Sequence, residues 1–261
     1  AGLGHQVTLF EQADSLGGQV ALLARADSYR EWSGVTDWLA TQLYRTKAEI
    51  RLGYRATAAD LVDHYEAVVV ATGSTPIRHG WTARHPARWA AGRPQLPGTE
   101  QWNVYTPDQV LAGNSELPHR FLLLDDTGDR HPFIVAEYLT RRRHPVHIVS
   151  QYPQLGHAFA DGHDLPFAFG QLRRAGVTFT PNTEVVAIDE DTVTLADVHT
   201  GDISQLTDID AVVPILGNIA DDSLARELAG TDLEVHVIGD AQSPRRIFNA
   251  IWEAETTARA L

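Results

Sequence analysis

The sequence predicts an α/β protein built from two three-layer dinucleotide-binding domains, the second inserted in the first. Three stretches carry that prediction. Val7-Thr8-Leu9-Phe10 is a short, β-prone apolar run that stops at Glu11, with Leu16-Gly17-Gly18-Gln19 a few residues on. Val68-Val69-Val70 runs into Ala71-Thr72-Gly73, and Val235-His236-Val237-Ile238 runs into Gly239-Asp240. Each is a strand that ends in an acid or in small residues, as at the carboxyl edge of an open sheet where ligands bind.

The first stretch reads as the second strand of a βαβ unit. An acid at its end accepts hydrogen bonds from a ribose diol, which makes Glu11, with Gln12 beside it, the candidate adenosine contact. Gly17 and Gly18 lack Cβ atoms, so the chain can turn sharply and bring its N–H groups close to a pyrophosphate or a flavin. In such units a glycine-rich phosphate turn lies about 20 residues before the acid. Only ten residues precede Glu11, so the first strand and the Gly-rich loop are expected upstream of Ala1.

Helical spacing follows over 20–26 and over 32–45, where Trp32, Val35, Trp38, Leu39 and Leu43 suggest a surface helix with one buried face. A short strand is expected within 47–52 and a short helix or turn at 57–63. The β-branched run at 65–70 reads as a parallel strand buried on both faces. Residues 77–98 form a long crossover without a clean period, with Gln95-Leu96-Pro97-Gly98 as a turn. Thr106 is placed to cap a helix that has Pro107 at its first position. A boundary near 115 divides a first domain, 1–115 with 218–261, from an insert, 116–217.

A second βαβ unit opens the insert: a strand at 121–124, a helix at 133–142 and a strand at 146–149. Its turn, 125–132, offers one glycine, three aspartates and Pro132 where a nucleotide fingerprint wants three glycines. Carboxylates repel a pyrophosphate and proline lacks a donor, so the phosphate site reads as degraded. Residues 151–170 read as loop, 172–174 as a helix end, 177–179 as a strand, and 184–189 with 192–195 as a hairpin. Further β structure extends to 210. The run 211–216 ends at Gly217, and a helix is expected over about 246–260.

Composition narrows the function. The chain has 261 residues, is 43% hydrophobic and 21% charged, and carries a net charge of −13, which suits an ordinary soluble fold and argues against nucleic acid as a partner. The basic cluster at 141–144 complements a helix end. Without cysteine, disulfides, thiolate zinc sites, iron–sulfur ligation and dithiol redox pairs are excluded within the chain, so redox chemistry needs a bound cofactor. No apolar run reaches membrane-span length and no signal peptide is visible, which gives a cytoplasmic expectation.

With these pieces in order the chain resembles the two-dinucleotide-domain flavoproteins, Rossmann-like folds that bind FAD and NAD(P). Within them it is most similar to the C-terminal module of the family of 2,4-dienoyl-CoA reductase and trimethylamine or dimethylamine dehydrogenase, in the wording of 4–11, of Leu16-Gly17-Gly18-Gln19 and of 244–251. The resemblance implies that Glu11 holds the adenosine ribose and that Gly17, Gly18 and Gln19 line the dinucleotide. It also implies that Ala71, Thr72 and Gly73 pass beneath it, and that Gly239 and Asp240 meet the ribityl chain if the ligand is FAD. In the amine dehydrogenases the equivalent site holds ADP, and these residues leave FAD and ADP both open. The family joins this module to an Old Yellow Enzyme-like FMN barrel, so FMN and an iron–sulfur cluster belong to a missing or partner domain. A separate chain, or an N-terminal segment, is expected to supply the barrel and the Gly-rich loop, and an oligomer is expected. The turn at 125–132 departs from the pattern and puts NAD(P)H in doubt.

Two readings follow: a flavin-dependent oxidoreductase module that supports hydride or electron transfer, or a structural module that retains an ADP site without redox activity. His157, Asp161, His163 and Asp164 read as surface polar residues rather than a metal site. Trp81, Arg84, His85 and Trp89 read as crossover packing. No catalytic residue is named, because no activated nucleophile or acid–base pair stands out.

Overall fold

The computed structural model describes residues 1–80, 96–113, 116–159 and 164–261. Trp81, Arg84, His85, Trp89 and Gln95 of the crossover, and Asp161 and His163 of the polar loop, lie outside the described residues. Two compact units account for the chain. The first comprises Ala1–Gly18, Gly34–Thr75 and Asn218–Leu261, and the second comprises Gln19–Ser33 and Pro76–Gly217. These bounds differ from the expected 1–115 and 116–217 by assigning Gln19–Ser33 and the segment from Pro76 to the second unit. The physical reason is burial: Leu22, Leu23, Ala26 and Tyr29 pack into the core formed by Phe121, Val135 and Leu139.

The chain opens with β1 (Thr8–Phe10) and a helix, Gly18–Leu23. The helix Ser33–Tyr44 and β2 (Glu49–Arg51) follow, and β1 and β2 pair in parallel, Leu9 opposite Ile50. The Ser33–Tyr44 helix has no buried residue, and Trp38 and Leu39 are exposed. That corrects the expected buried face: helical spacing shows which residues share a side but not whether anything covers it. A short helix, Ala58–Leu61, is closed by a capping box in which Thr57 and Asp60 bond each other's backbone.

Next come β3 (Ala67–Val70) and β4 (Ser74–Pro76). Only Val70 of β3 is buried, and Val69 is exposed. The expectation of burial on both faces fails because β3 sits in a two-stranded sheet among the described residues rather than inside a wide one.

The second unit follows the prediction more closely. Helix Pro107–Ala112 begins at Thr106, whose side chain accepts from the Gln109 amide, and Pro107 occupies the first turn. The turn ending at Gly98 packs so tightly that a Cβ there would lie 1.9 Å from the Ile188 carbonyl oxygen, which only glycine tolerates. Then come β5 (Phe121–Asp125), the helix His131–Arg141 and β6 (Val146–Ser150). A helix, Leu165–Arg174, starts inside the stretch expected to be loop. Its Leu-Pro-Phe-Ala-Phe-Gly opening has no clear apolar period, and packing of Leu165 and Leu172 sets the helix instead.

After it run β7 (Thr178–Thr180), β8 (Thr183–Ile188), β9 (Val193–Asp197), β10 (Ile203–Leu206) and β11 (Ala211–Ile215). The main sheet has the order β11-β5-β6-β7, with parallel pairing throughout. Every residue of β5 and β11 is buried, as expected for parallel strands covered on both faces. Phe121 and Leu123 face the His131–Arg141 helix core, while Leu122 and Leu124 face Val185, Val193 and Leu195 of the antiparallel sheet β10-β9-β8. The unit is therefore three layers: helix, parallel sheet, antiparallel sheet.

The chain then returns to the first unit with β12 (Asn218–Ala220), the helix Ser223–Leu228, β13 (Glu234–Val237) and the helix Ile247–Ala260. β12 pairs with β4, and β13 pairs in parallel with β3, Val237 opposite Val70.

Candidate functional site

In the first unit β13 and β3, which precede two of the motifs, run parallel, and β1, which precedes the other, runs parallel to β2. Phe10, Val70 and Val237 are the last residues of β1, β3 and β13, and all three belong to one apolar cluster with Leu61, Leu228 and Ala241. Glu11 and Ala71 directly follow β1 and β3, and Gly239-Asp240 follows β13 after Ile238, so each motif stands at the carboxyl end of a strand paired in parallel with a neighbour, the position at which open α/β sheets bind ligands. Aromatic packing fixes the first of these ends: Phe10 meets Tyr54 at 5.6 Å and Tyr65 edge-on at 6.0 Å between centroids.

Glu11 takes its backbone bonds from β2 and the segment after it: its N–H donates to Arg51 O and its carbonyl accepts from the Tyr54 N–H. Its carboxylate accepts from the Ala13 amide through Oε1 at 2.8 Å, which aims the side chain while Oε2 retains acceptor capacity. Gln12 beside it is exposed. Gly17 and Gly18 have φ of 126° and 49°, values that L side chains rarely adopt. A Cβ on Gly18 would meet nothing within 4 Å, so it is the backbone conformation, not crowding, that calls for glycine. Gly18 opens the Gly18–Leu23 helix, and Gln19 belongs to the second unit.

The second motif is tied to β12 and the segment after it. Thr72 Oγ1 donates to Asp221 O, and the Asp221 N–H returns a bond to Gly73 O at 3.0 Å. Ala71 and Thr72 are exposed, and Gly73, with φ 79°, has open space where a Cβ would stand. The third motif is the most strongly held. Asp240 accepts from Ser74 Oγ at 3.0 Å and from the Arg245 amide at 3.0 Å, and Asn218 Nδ2 donates to Ser74 Oγ at 2.9 Å. Gly239 (φ 62°) gives its N–H to Glu253 at 2.8 Å, and Glu253 also pairs with Arg245.

Sequence reasoning missed Ser74 and Asn218, which link the second motif to the third. Their signal was positional: each directly follows a glycine that ends a strand-like run. Because each carboxylate oxygen can accept two bonds, Asp240 keeps capacity for a further hydroxyl.

The corresponding edge of the second unit is arranged differently. Asp125, fully buried, accepts at Oδ1 from the Thr127 and Gly128 amides (3.1 and 2.8 Å) and at Oδ2 from Ser150 Oγ (3.0 Å). Burial pushes its carboxyl above the ordinary range, opposed by those bonds. Asp129 accepts from the His131 amide at 2.8 Å and lies 3.1 Å from His131 Nδ1. Burial works to raise Asp129, but the bonds and charge of His131 outweigh it and the carboxyl is lowered. Asp108, on another helix, is raised by burial. Of the polar loop residues, His157 stacks on Tyr152 at 5.0 Å and Asp164 pairs with Arg130. No group of three or more metal-type ligands occurs among the described residues, and none of their helices is long and apolar enough to cross a membrane.

No family model matches the chain. Over 178 residues, 68% of this chain, it is 31% identical to N,N-dimethylglycine/sarcosine dehydrogenase of Chromohalobacter salexigens, covering 24% of that protein. It is 25% identical to dimethylamine dehydrogenase of a Hyphomicrobium species, across 99% of this chain and 39% of that one. The solved structure of histamine dehydrogenase from a Rhizobium species superposes with a TM-score of 0.87 at 26% identity, covering 99% of this chain and 40% of the other. The chain thus spans less than half the length of each of these relatives.

Proposed function

For a chain that belongs to the Old Yellow Enzyme-like flavoprotein family of dimethylglycine/sarcosine, dimethylamine and histamine dehydrogenases, as its FAD/NAD(P)-binding module, we propose that the first unit binds FAD, or ADP alone, at the carboxyl ends of β1, β3 and β13. The observation that supports this most is the apolar cluster shared by Phe10, Val70 and Val237, the last residues of the strands that lead into Glu11, Ala71-Thr72-Gly73 and Gly239-Asp240.

Glu11 accepts the adenosine ribose hydroxyls through the oxygen that Ala13 leaves unused. Gly17 and Gly18, with Gln12 nearby in the chain, let the backbone approach the pyrophosphate. Ala71, Thr72 and Gly73 form the floor, with their backbone held by Asp221 and no side chain intruding at Gly73. Asp240, oriented by Ser74 and the Arg245 amide, receives a ribityl hydroxyl when the ligand is FAD. Bound FAD would supply hydride or electron transfer, and the residues of this chain hold and orient it.

In this reading the chain is one part of a flavin-dependent oxidoreductase, and the remaining length of its relatives corresponds to an FMN barrel domain and to the strand and glycine-rich turn that complete the phosphate cradle. The dehydrogenase names of the relatives favour a redox module over a purely structural one.

The test is an absorption spectrum of the purified protein, followed by denaturation and chromatography of any released nucleotide. A yellow chromophore that elutes as FAD supports the full proposal, and ADP without colour supports its nucleotide-binding half. Neither nucleotide, together with no binding of added ADP or FAD, overturns it.

A further inference from the structure

The fold implies a second dinucleotide site, for NAD(P)H, at the β5 edge of the second unit, and the residues there do not fit one. A phosphate at a βα turn is held by backbone N–H groups that point outward from the turn and from the start of the helix. Here most of those groups are already engaged. Asp126 N donates to Ile215 O, Thr127 and Gly128 N donate to Asp125 Oδ1, Asp129 N donates to Thr127 Oγ1, and His131 N donates to Asp129 Oδ1. Pro132 has no N–H, and Phe133 and Ile134 N both donate to Arg130 O.

The space is taken as well. A Cβ on Gly128 would lie 3.1 and 3.2 Å from Tyr152 ring carbons and 3.4 Å from the His157 Cβ, and Ala158 N donates to Gly128 O at 2.8 Å. Tyr152 and His157 stack nearly parallel, 11° apart, so the turn lies against an aromatic pair from its own unit. Finally, no ribose acid ends β6. Ser150 spends its hydroxyl on Asp125, and the following Gln151 is buried with its amide donated to Asp126 O at 3.3 Å.

We infer that the nucleotide crevice of the second unit is filled by the chain itself, the Asp125 carboxylate standing where a phosphate would and the Tyr152–His157 pair closing over Gly128, so that this unit takes no NAD(P)H. Reducing equivalents do not enter the protein through a nicotinamide at this edge. The inference rests on the second unit alone and holds whether the first unit carries FAD or ADP.

It is tested on the purified protein by titrating NADH and NADPH calorimetrically while amide hydrogen exchange is followed residue by residue. The expected result is no saturable binding up to about 1 mM, roughly 4 kcal/mol of binding free energy, with the Thr127 and Gly128 amides protected and unchanged by either nucleotide. Saturable binding with exchange changes confined to the first unit also upholds it, because the β5 edge then stays closed. Saturable binding accompanied by altered exchange at 127–131 overturns it. A parallel titration with ADP, read at Glu11 and Gly18, separates failure of this inference from failure of the first unit's proposed site.

Discussion

The ends of β1 at Glu11 and of β5 at Asp125 are both carboxyl ends of strands paired in parallel, yet their bonding is opposite. At the end of β1 the acid lies at the surface, takes one local amide, and is followed by Gly17 and Gly18, both at positive φ, with open space where a Cβ on Gly18 would stand. At the end of β5 the acid is wholly buried and takes both turn amides and a serine hydroxyl for itself. In the proposed reading, what separates a binding edge from a structural one is where the donors and acceptors of the turn point. By the inference drawn above, an inward carboxylate would stabilise the turn and remove the site in one step, since an N–H already bonded to a carboxylate has little left for a phosphate.

The largest expected effect is on the inward turn. Asp125→Ala leaves the Thr127 and Gly128 amides and the Ser150 hydroxyl buried without an acceptor, which costs on the order of 2–4 kcal/mol. Thermal or urea unfolding of the variant would show it, and a change within error would mean that the turn relaxes to find other partners. Asp125→Asn keeps one acceptor oxygen and loses less.

At the outward edge the effect falls on binding. Glu11→Gln preserves the Ala13 bond and removes the charge offered to the ribose, so ADP binds about tenfold more weakly, near 1.4 kcal/mol, by calorimetry. Unfolding midpoints stay the same. Equal ADP affinity in the two proteins would remove Glu11 from the site.

The smallest effect concerns β6, the strand beside the closed turn. His147 places Nδ1 2.6 Å from Thr178 Oγ1 and Nε2 3.0 Å from Thr180 Oγ1, and burial lowers its pKa from the usual histidine value. A folded pKa below the unfolded one means that the unfolded chain binds more protons. Stability is therefore complete above about pH 6.5 and declines as pH falls through the window beneath it. Melting curves between pH 7.5 and 5 are expected to show a loss below about 1 kcal/mol, and His147→Gln to flatten that part of the dependence. An identical pH profile in both proteins would show that the ring titrates as if free.

The strand runs at 121–125 and 146–150, the helix after Pro132 and the Thr106-Pro107 cap were legible because their causes are local: β-branched or leucine runs, a capping side chain, a fixed proline φ. The degraded turn was legible as a repulsion between carboxylates and a phosphate. Its actual mechanism was not, because Asp125 turns inward to Ser150 and Tyr152 and His157 come from a segment some 25–30 residues away. Burial was misjudged for the Ser33–Tyr44 helix and for β3, since apolar spacing says nothing about whether a neighbour lies over it. The roles of Ser74 and Asn218 could not be read, as the Ser74–Asp240 bond spans 166 residues of chain and the Asn218–Ser74 bond 144.

By itself the sequence determined where the strands stop and which residue types stand at their ends: Glu11, Gly73, Asp125, Asp240. Those follow from local propensity and from the chemistry of small and acidic side chains. Tertiary structure decided what each end does. Whether a carboxylate faces outward to a ribose or inward to its own turn depends on the hydroxyls, amides and rings that distant segments bring within about 3 Å of it, the range over which hydrogen bonds act.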